Sequence, residues 1–141
     1  MSDVIENPDI YKAGGIIIKD RKVLVEHSRG KTTFNTPGGK LEPGETERQA
    51  LVRELKEEFD IDVQEDDLEY FDTFYGRAAG QEHKTIKMAV YRVKKWQGEI
   101  KPTSEVEELL WINSEVPTDV EVAPLFVQNV VPRLAAEGLI D

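Results

Sequence analysis

Residues 39–61 read Gly-Lys-Leu-Glu-Pro-Gly-Glu-Thr-Glu-Arg-Gln-Ala-Leu-Val-Arg-Glu-Leu-Lys-Glu-Glu-Phe-Asp-Ile. A Gly/Pro loop leads into a segment with helical periodicity, and a helix is predicted over 46–59. Glu54, Glu57 and Glu58 then share an arc roughly 100° wide, while Leu51, Val52, Leu55 and Phe59 fall on a separate arc. One face can enter a core while the other gathers three carboxylates, the oxygen donors that suit a hard divalent cation. The same three acids also fit an ordinary solvated face, because like charges three or four apart cost only about 0.2–0.5 kcal/mol per pair.

The helix start is written locally. Thr46 and Gln49 have the spacing of a capping box, with Thr46 as N-cap. Glu47 then lies near the positive end of the helix dipole. Glu57 and Glu58 lie toward the negative end, where carboxylates are disfavoured and a bound cation would reverse the sign of the effect.

Upstream and downstream, short apolar runs alternate with turn signals. Strands are predicted at 10–18, Val23–Glu26, Leu68–Tyr75, Thr85–Val93 and Leu109–Ile112, with turns at Asp20-Arg21 and Gln97-Gly98. His27–Asn35 and Gly76–Glu82 read as loops. Val122–Glu137 reads as a closing helix that Pro132 kinks or restarts and Gly138 stops. The order of elements implies a mixed α/β domain. At 141 residues the chain is expected to form one domain, 1–141.

The chain lacks cysteine, which excludes disulfide and thiolate chemistry. It has no apolar run of membrane-spanning length and no signal-peptide pattern, so a soluble cytoplasmic protein with no membrane partner is expected. A net charge of −10 argues against general nucleic-acid binding. The charge is unevenly spread: residues 12–40 hold seven Lys/Arg against two Asp/Glu, and residues 41–75 hold thirteen Asp/Glu against three Lys/Arg. If both segments line one cleft, cations from the first can meet phosphate oxygens beside carboxylates from the second. The composition leaves the oligomeric state open.

The full run fits Gly-x5-Glu-x7-Arg-Glu-U-x-Glu-Glu-x-Gly-U, where U is aliphatic. It resembles the signature box of the Nudix hydrolases, MutT-like members in particular. Gly39, Glu45, Arg53, Glu54, Leu55, Glu57, Glu58 and Ile61 stand at matching positions. Asp60 replaces the final glycine; Asp tolerates the left-handed backbone expected there better than most residues.

The resemblance implies an α/β/α sandwich around a mixed sheet, with the box (39–61) forming a loop–helix–loop. It also implies Mg²⁺- or Mn²⁺-dependent hydrolysis of a nucleoside diphosphate linked to another group. By that match Glu54, Glu57, Glu58 and the Gly38 carbonyl are candidate metal ligands, and Arg53 orients a neighbouring glutamate. Glu105 is the first candidate for general base, with Glu107, Glu108 or the ligand Glu57 as alternatives. Arg29, Lys31, Gly39, Phe34 and Tyr75 are candidate substrate contacts.

The similarity around the box and Trp96 favours a nucleoside triphosphate, cleaved to monophosphate and pyrophosphate. Alternatives are a nucleotide sugar such as ADP-ribose, a dinucleoside polyphosphate, an RNA 5′ end, or a non-catalytic domain that senses nucleotide. MutT-like enzymes acting on oxidised guanine nucleotides carry an asparagine in a late Pro-Ala-Asn run; the counterpart here, Val122-Ala123-Pro124, lacks it.

Overall fold

The computed structural model describes residues 4–78 and 80–141. Its strands are β1 (Ile10–Ile16), β2 (Ile18–Lys19), β3 (Lys22–Ser28), β4 (Gly38–Lys40), β5 (Leu68–Ala78), β6 (Gln81–Val93) and β7 (Val106–Ile112). Helix α1 spans Glu47–Phe59, and the last helix runs through a π-helical stretch, Phe126–Val130, into α2 (Val131–Ala136).

One sheet has the order β4-β1-β6-β5, the other β2-β3-β7. β1 pairs parallel with β6 and antiparallel with β4, so the first sheet is mixed. Asp20 and Arg21 have φ of 52° and 61°, the two positive values that a tight hairpin between β2 and β3 demands.

Neighbouring strand residues belong to opposite cores. Ala13, Ile17, Leu24, Ala89 and Tyr91 pack with Ala50, Leu51, Leu55 and Phe59 of α1. Ile16, Val23, Val25, Met88 and Val90 pack with Phe126, Val130, Val131 and Leu134 of the last helix. Strands buried on both faces between two helical layers make the expected α/β/α sandwich. Each fully buried Leu or Phe contributes about 1.5–3 kcal/mol, so the apolar arc of α1 holds the helix in place; of its acids Glu57 is exposed, Glu54 half-buried and Glu58 buried.

Both ends of α1 follow the local signals. The Thr46 hydroxyl accepts from Gln49 N–H while the Gln49 side chain accepts from Thr46 N–H. Asp60 closes the helix in the left-handed region, with φ 56° and ψ 37°.

Other boundaries differ. β4 replaces part of the expected Gly-rich loop, because its backbone pairs with β1. The predicted loop 76–82 is largely a hairpin end, with β5 reaching Ala78 and β6 starting at Gln81; residue 79 lies outside the described residues. Val122 is extended rather than helical, since Phe34 N–H donates to Glu121 O and Ala123 N–H to Phe34 O, both at 2.8 Å. Pro132 stands at the start of α2, where its missing N–H is tolerated, and the π-helical stretch precedes it.

Candidate active site

Strand β4 and helix α1 build the site together. At Gly38 φ is 132°, a conformation that favours glycine, and an added Cβ would lie 2.0 Å from Ala13 O. The Gly38 N–H donates to Glu58 Oε1 at 2.9 Å, tying the loop to the helix. At Gly39 an added Cβ would lie 2.6 Å from Glu54 Cδ, so glycine leaves the room that this carboxylate fills.

Arg53 organises the loop side. Its Nε and Nη2 donate to Glu45 Oε2 and Oε1 at 2.7 and 2.9 Å, and Nη1 donates to Glu54 Oε1 at 2.9 Å. It also donates to the Lys40 carbonyl at 3.2 Å and faces Glu57 at 3.4 Å. These hydrogen bonds hold the Glu45 carboxyl down at about 2 and the guanidinium above its ordinary value.

The segment before β7 folds over the end of α1. Thr103 N–H donates to Glu58 O at 3.0 Å and its hydroxyl to Glu57 O at 2.7 Å, which satisfies carbonyls that the helix end leaves free. Arg29 brackets the same segment, through N–H to Glu105 O at 3.1 Å and Nε to Ser104 O at 3.0 Å. Glu105 is thereby carried to the cleft.

That cleft has a volume of about 550 Å³. Glu26, Glu54, Glu58 and Glu105 line it, together with Gly38, Gly39 and the basic residues Lys12, Lys31 and Lys40. A larger depression of about 780 Å³ runs along the other flank of α1, from Val52 to Asp66, and contains none of these four carboxylates.

Glu26 belongs to no motif in the sequence. It ends the run Val23-Leu24-Val25-Glu26 on β3, and its only advance signal is an acid at the end of a wholly apolar strand. Glu26 and Glu58 are each 5% exposed, and they face one another at hydrogen-bonding range. Burial raises the affinity of both for a proton; Glu26 further disfavours the Glu58 anion, whereas the hydrogen bond from Glu58 partly offsets the rise at Glu26. Burial also raises Glu54, partly offset by Arg53, and lowers Lys12.

Some expected residues stand elsewhere. Glu57 is exposed, one step round the helix from the cleft wall. Phe34 is 3% exposed and packed under the last helix, with its ring edge-on to His27 at 4.7 Å, so it presents no face to a base. Tyr75 lies on β5 beside Leu125 and Gln128, and Arg29 is occupied as a bracket; neither lines the cleft. Of the acids 105, 107 and 108 only Glu105 does, whereas Glu107 and Glu108 flank His27 at 3.5 and 4.0 Å.

The NUDIX domain model matches residues 11–129. The chain belongs to the NUDIX family. It is 30% identical over 119 residues to the CTP pyrophosphohydrolase of Escherichia coli K12, covering 82% of this chain and 84% of that protein. It is 37% identical over 79 residues to the 8-oxo-dGTP diphosphatase of the same organism, 56% of each chain. The solution structure of the E. coli ORF135 protein superposes with a TM-score of 0.70 at 27% identity, over 91% of both chains. The crystal structure of a MutT NUDIX hydrolase from Burkholderia pseudomallei shares the fold, with a TM-score of 0.67 at 22% identity over 91% of this chain and 95% of that one. The protein is a MutT-like NUDIX hydrolase of phosphoanhydride bonds.

Members of this family act on nucleotides and use divalent metals such as Mg²⁺ or Mn²⁺. The donors fit such an ion: they are hard carboxylate oxygens, two of the four cleft acids are buried, and Glu26 Oε2 has no hydrogen-bond partner among the described residues. An unpartnered buried polar atom costs about 1–3 kcal/mol, more when charged, and a cation offsets that cost. Among the described residues no three acidic or imidazole side chains already converge in ligating geometry. Glu54 and Glu57 lean on Arg53, and Glu58 is turned to the Gly38 amide. No helix among the described residues is long and apolar enough to cross a membrane.

Proposed function

We propose that this NUDIX hydrolase cleaves a nucleoside triphosphate to the monophosphate and pyrophosphate with Mg²⁺ or Mn²⁺. The observation that carries this reading is the cleft itself, in which Glu54, Glu58 and Glu105 face Lys12, Lys31 and Lys40 around a glycine strand. Kinship over most of its length with a protein named as a CTP pyrophosphohydrolase supports the triphosphate choice.

Glu54, Glu58 and the Gly38 carbonyl would hold the cation from the cleft wall, and Glu57 from the exposed edge of the same helical turn; when bound the cation neutralises phosphate charge and polarises a phosphoryl oxygen. Lys31 and Lys40, both exposed at the rim, supply cationic contacts to the polyphosphate. Glycine at 39 lets backbone and phosphate approach closely. Arg53 fixes the Glu54 carboxylate and, through Glu45, the loop that precedes it. Glu105 is the general base: it accepts a proton from the attacking water as the water oxygen bonds to phosphorus and the anhydride P–O bond breaks. The bond broken joins the α-phosphate to the β-phosphate, which gives monophosphate and pyrophosphate, and no covalent enzyme intermediate forms.

A hydrolysis screen over nucleoside triphosphates, nucleotide sugars and dinucleoside polyphosphates, with Mg²⁺ and Mn²⁺, tests this reading by product analysis. Nucleoside monophosphate with pyrophosphate is expected. Turnover restricted to nucleotide sugars would overturn the substrate choice.

A further inference from the structure

We propose that Glu26 is a direct ligand of the divalent cation, supplied by β3 from outside the signature box. The inference deepens the proposed function and rests on its metal site.

Three observations lead to it. First, Glu26 is buried, 5% exposed, yet its Oε2 has no partner among the described residues, in a wall of the cleft shared with Glu54, Glu58 and Glu105. Second, the strand cannot carry the acid away. Glu26 N–H donates to Asn35 O at 2.8 Å, Asn35 N–H donates back to Glu26 O at 2.7 Å, and on its other side Glu26 stands opposite Leu109 of β7. A backbone clamped between two neighbours fixes the point from which the side chain departs. Third, the carboxyl faces that of Glu58, and as anions neither has a proton to give the other. No cationic side chain within 4.0 Å neutralises Glu26, since it makes no ion pair among the described residues, and Lys12 acts on it only from farther away.

Two like carboxylates, buried and held face to face, repel each other unless a proton or a cation lies with them. A rigid second wall opposite α1 would also help enforce the nearly octahedral oxygen shell that Mg²⁺ demands. Glu26 therefore completes from the sheet what the box helix presents from one side.

The test is Mn²⁺ binding to the metal-free protein without nucleotide, followed by electron paramagnetic resonance of the free ion. Glu26→Gln keeps the shape and gives Glu58 an amide N–H donor, so the variant is expected to fold with an unchanged or higher metal-free Tm. Its Mn²⁺ affinity is expected to fall by about 10–100-fold, and the Tm rise on adding Mn²⁺ to shrink with it. A structure of the unaltered protein with Mn²⁺ is expected to place a Glu26 oxygen about 2.0–2.6 Å from an ion. Mn²⁺ affinity lost in Glu58→Gln but retained in Glu26→Gln would overturn the role of Glu26 and leave the box site standing. So would an occupied site with Glu26 outside its shell. No Mn²⁺ binding by the unaltered protein would overturn this inference and the metal site beneath it together.

Discussion

Gly39 packs its bare Cα against the Glu54 carboxylate, so that a Cβ at residue 39 would meet both Glu54 Cδ and Oε1 at 2.6 Å. The obstacle is the end of a flexible side chain, which can move while the backbone stays. Gly39→Ala is therefore expected to leave stability within about 1 kcal/mol of the parent and to lower turnover at least about tenfold through displacement of Glu54. Gly38→Ala is expected to behave differently. Its Cβ would meet backbone, Ala13 O at 2.0 Å, in a φ of 132°, and should cost about 1–3 kcal/mol or more of stability. Denaturant unfolding beside kinetics checks the pair, and equal stability losses would contradict the geometry.

Arg53 gives Glu45 a two-pronged contact and Glu54 a third hydrogen bond, which a lysine ammonium cannot reproduce in one position. Arg53→Lys is expected to lower kcat about 10–100-fold with a small change in Tm. The Glu45 carboxyl, held at about 2 by Arg53, should titrate closer to its ordinary value of 4.5 in the variant. A depressed carboxyl stabilises the folded state above the unfolded value and loses that contribution as pH falls toward the folded one. Acid loss of stability between about pH 4.5 and 2 should thus weaken in Arg53→Lys. Carboxyl-resolved NMR titration reads the shift directly.

Glu26 and Glu58 carry the opposite sign. Burial raises both, and Glu26 raises Glu58 further, so the folded state holds more protons than the unfolded chain above the ordinary value of 4.5. Their contribution is fully present below that value and is lost as pH rises through the folded values. The metal-free protein is expected to lose Tm as pH climbs from neutrality into the alkaline range. Glu58→Gln should flatten that slope and raise the metal-free Tm at neutral pH, while removing the stabilisation by Mn²⁺. Thermal scans across pH with and without Mn²⁺ check it; a metal-free Tm that rises with pH in the unaltered protein would oppose it.

Asp60 shows how far local chemistry can be read. Its place after the helix predicts a left-handed cap, and φ is 56°. Asp60→Gly is expected to stay within about 1 kcal/mol of the parent, whereas Asp60→Ile should cost about 1–2 kcal/mol. The capping box and the apolar arc of α1 were legible for the same reason, since each is settled within a few residues. β4 was not, because Gly38 and Gly39 form a strand only through pairing with distant β1. The hairpin end around Arg77 and Gln81 was missed because cross-strand pairing outweighs its polar composition.

Within the site, Gly39, Arg53, Glu54 and Glu58 stand at box positions, Glu105 is the first of three candidate acids ahead of Trp111, and all five meet around one cleft or its loop. Glu26 was hidden because an acid closing an apolar strand reads as a strand end; its isolation appears only once Glu58 arrives from a helix 32 positions away in number. Phe34 had the right type for stacking on a base, but its backbone pairs with Glu121 and Ala123, which seats it in the core.

The central claim is that the acidic face of α1 gathers a divalent cation beside a phosphoanhydride. Its most direct test is ³¹P NMR of CTP incubated with Mg²⁺ and either the unaltered protein or Glu57→Gln. Growth of cytidine monophosphate and pyrophosphate with the unaltered protein is expected, abolished by chelation and slowed about 10²-fold or more by the substitution. Undiminished turnover in Glu57→Gln, or hydrolysis that persists after the metal is removed, would contradict it.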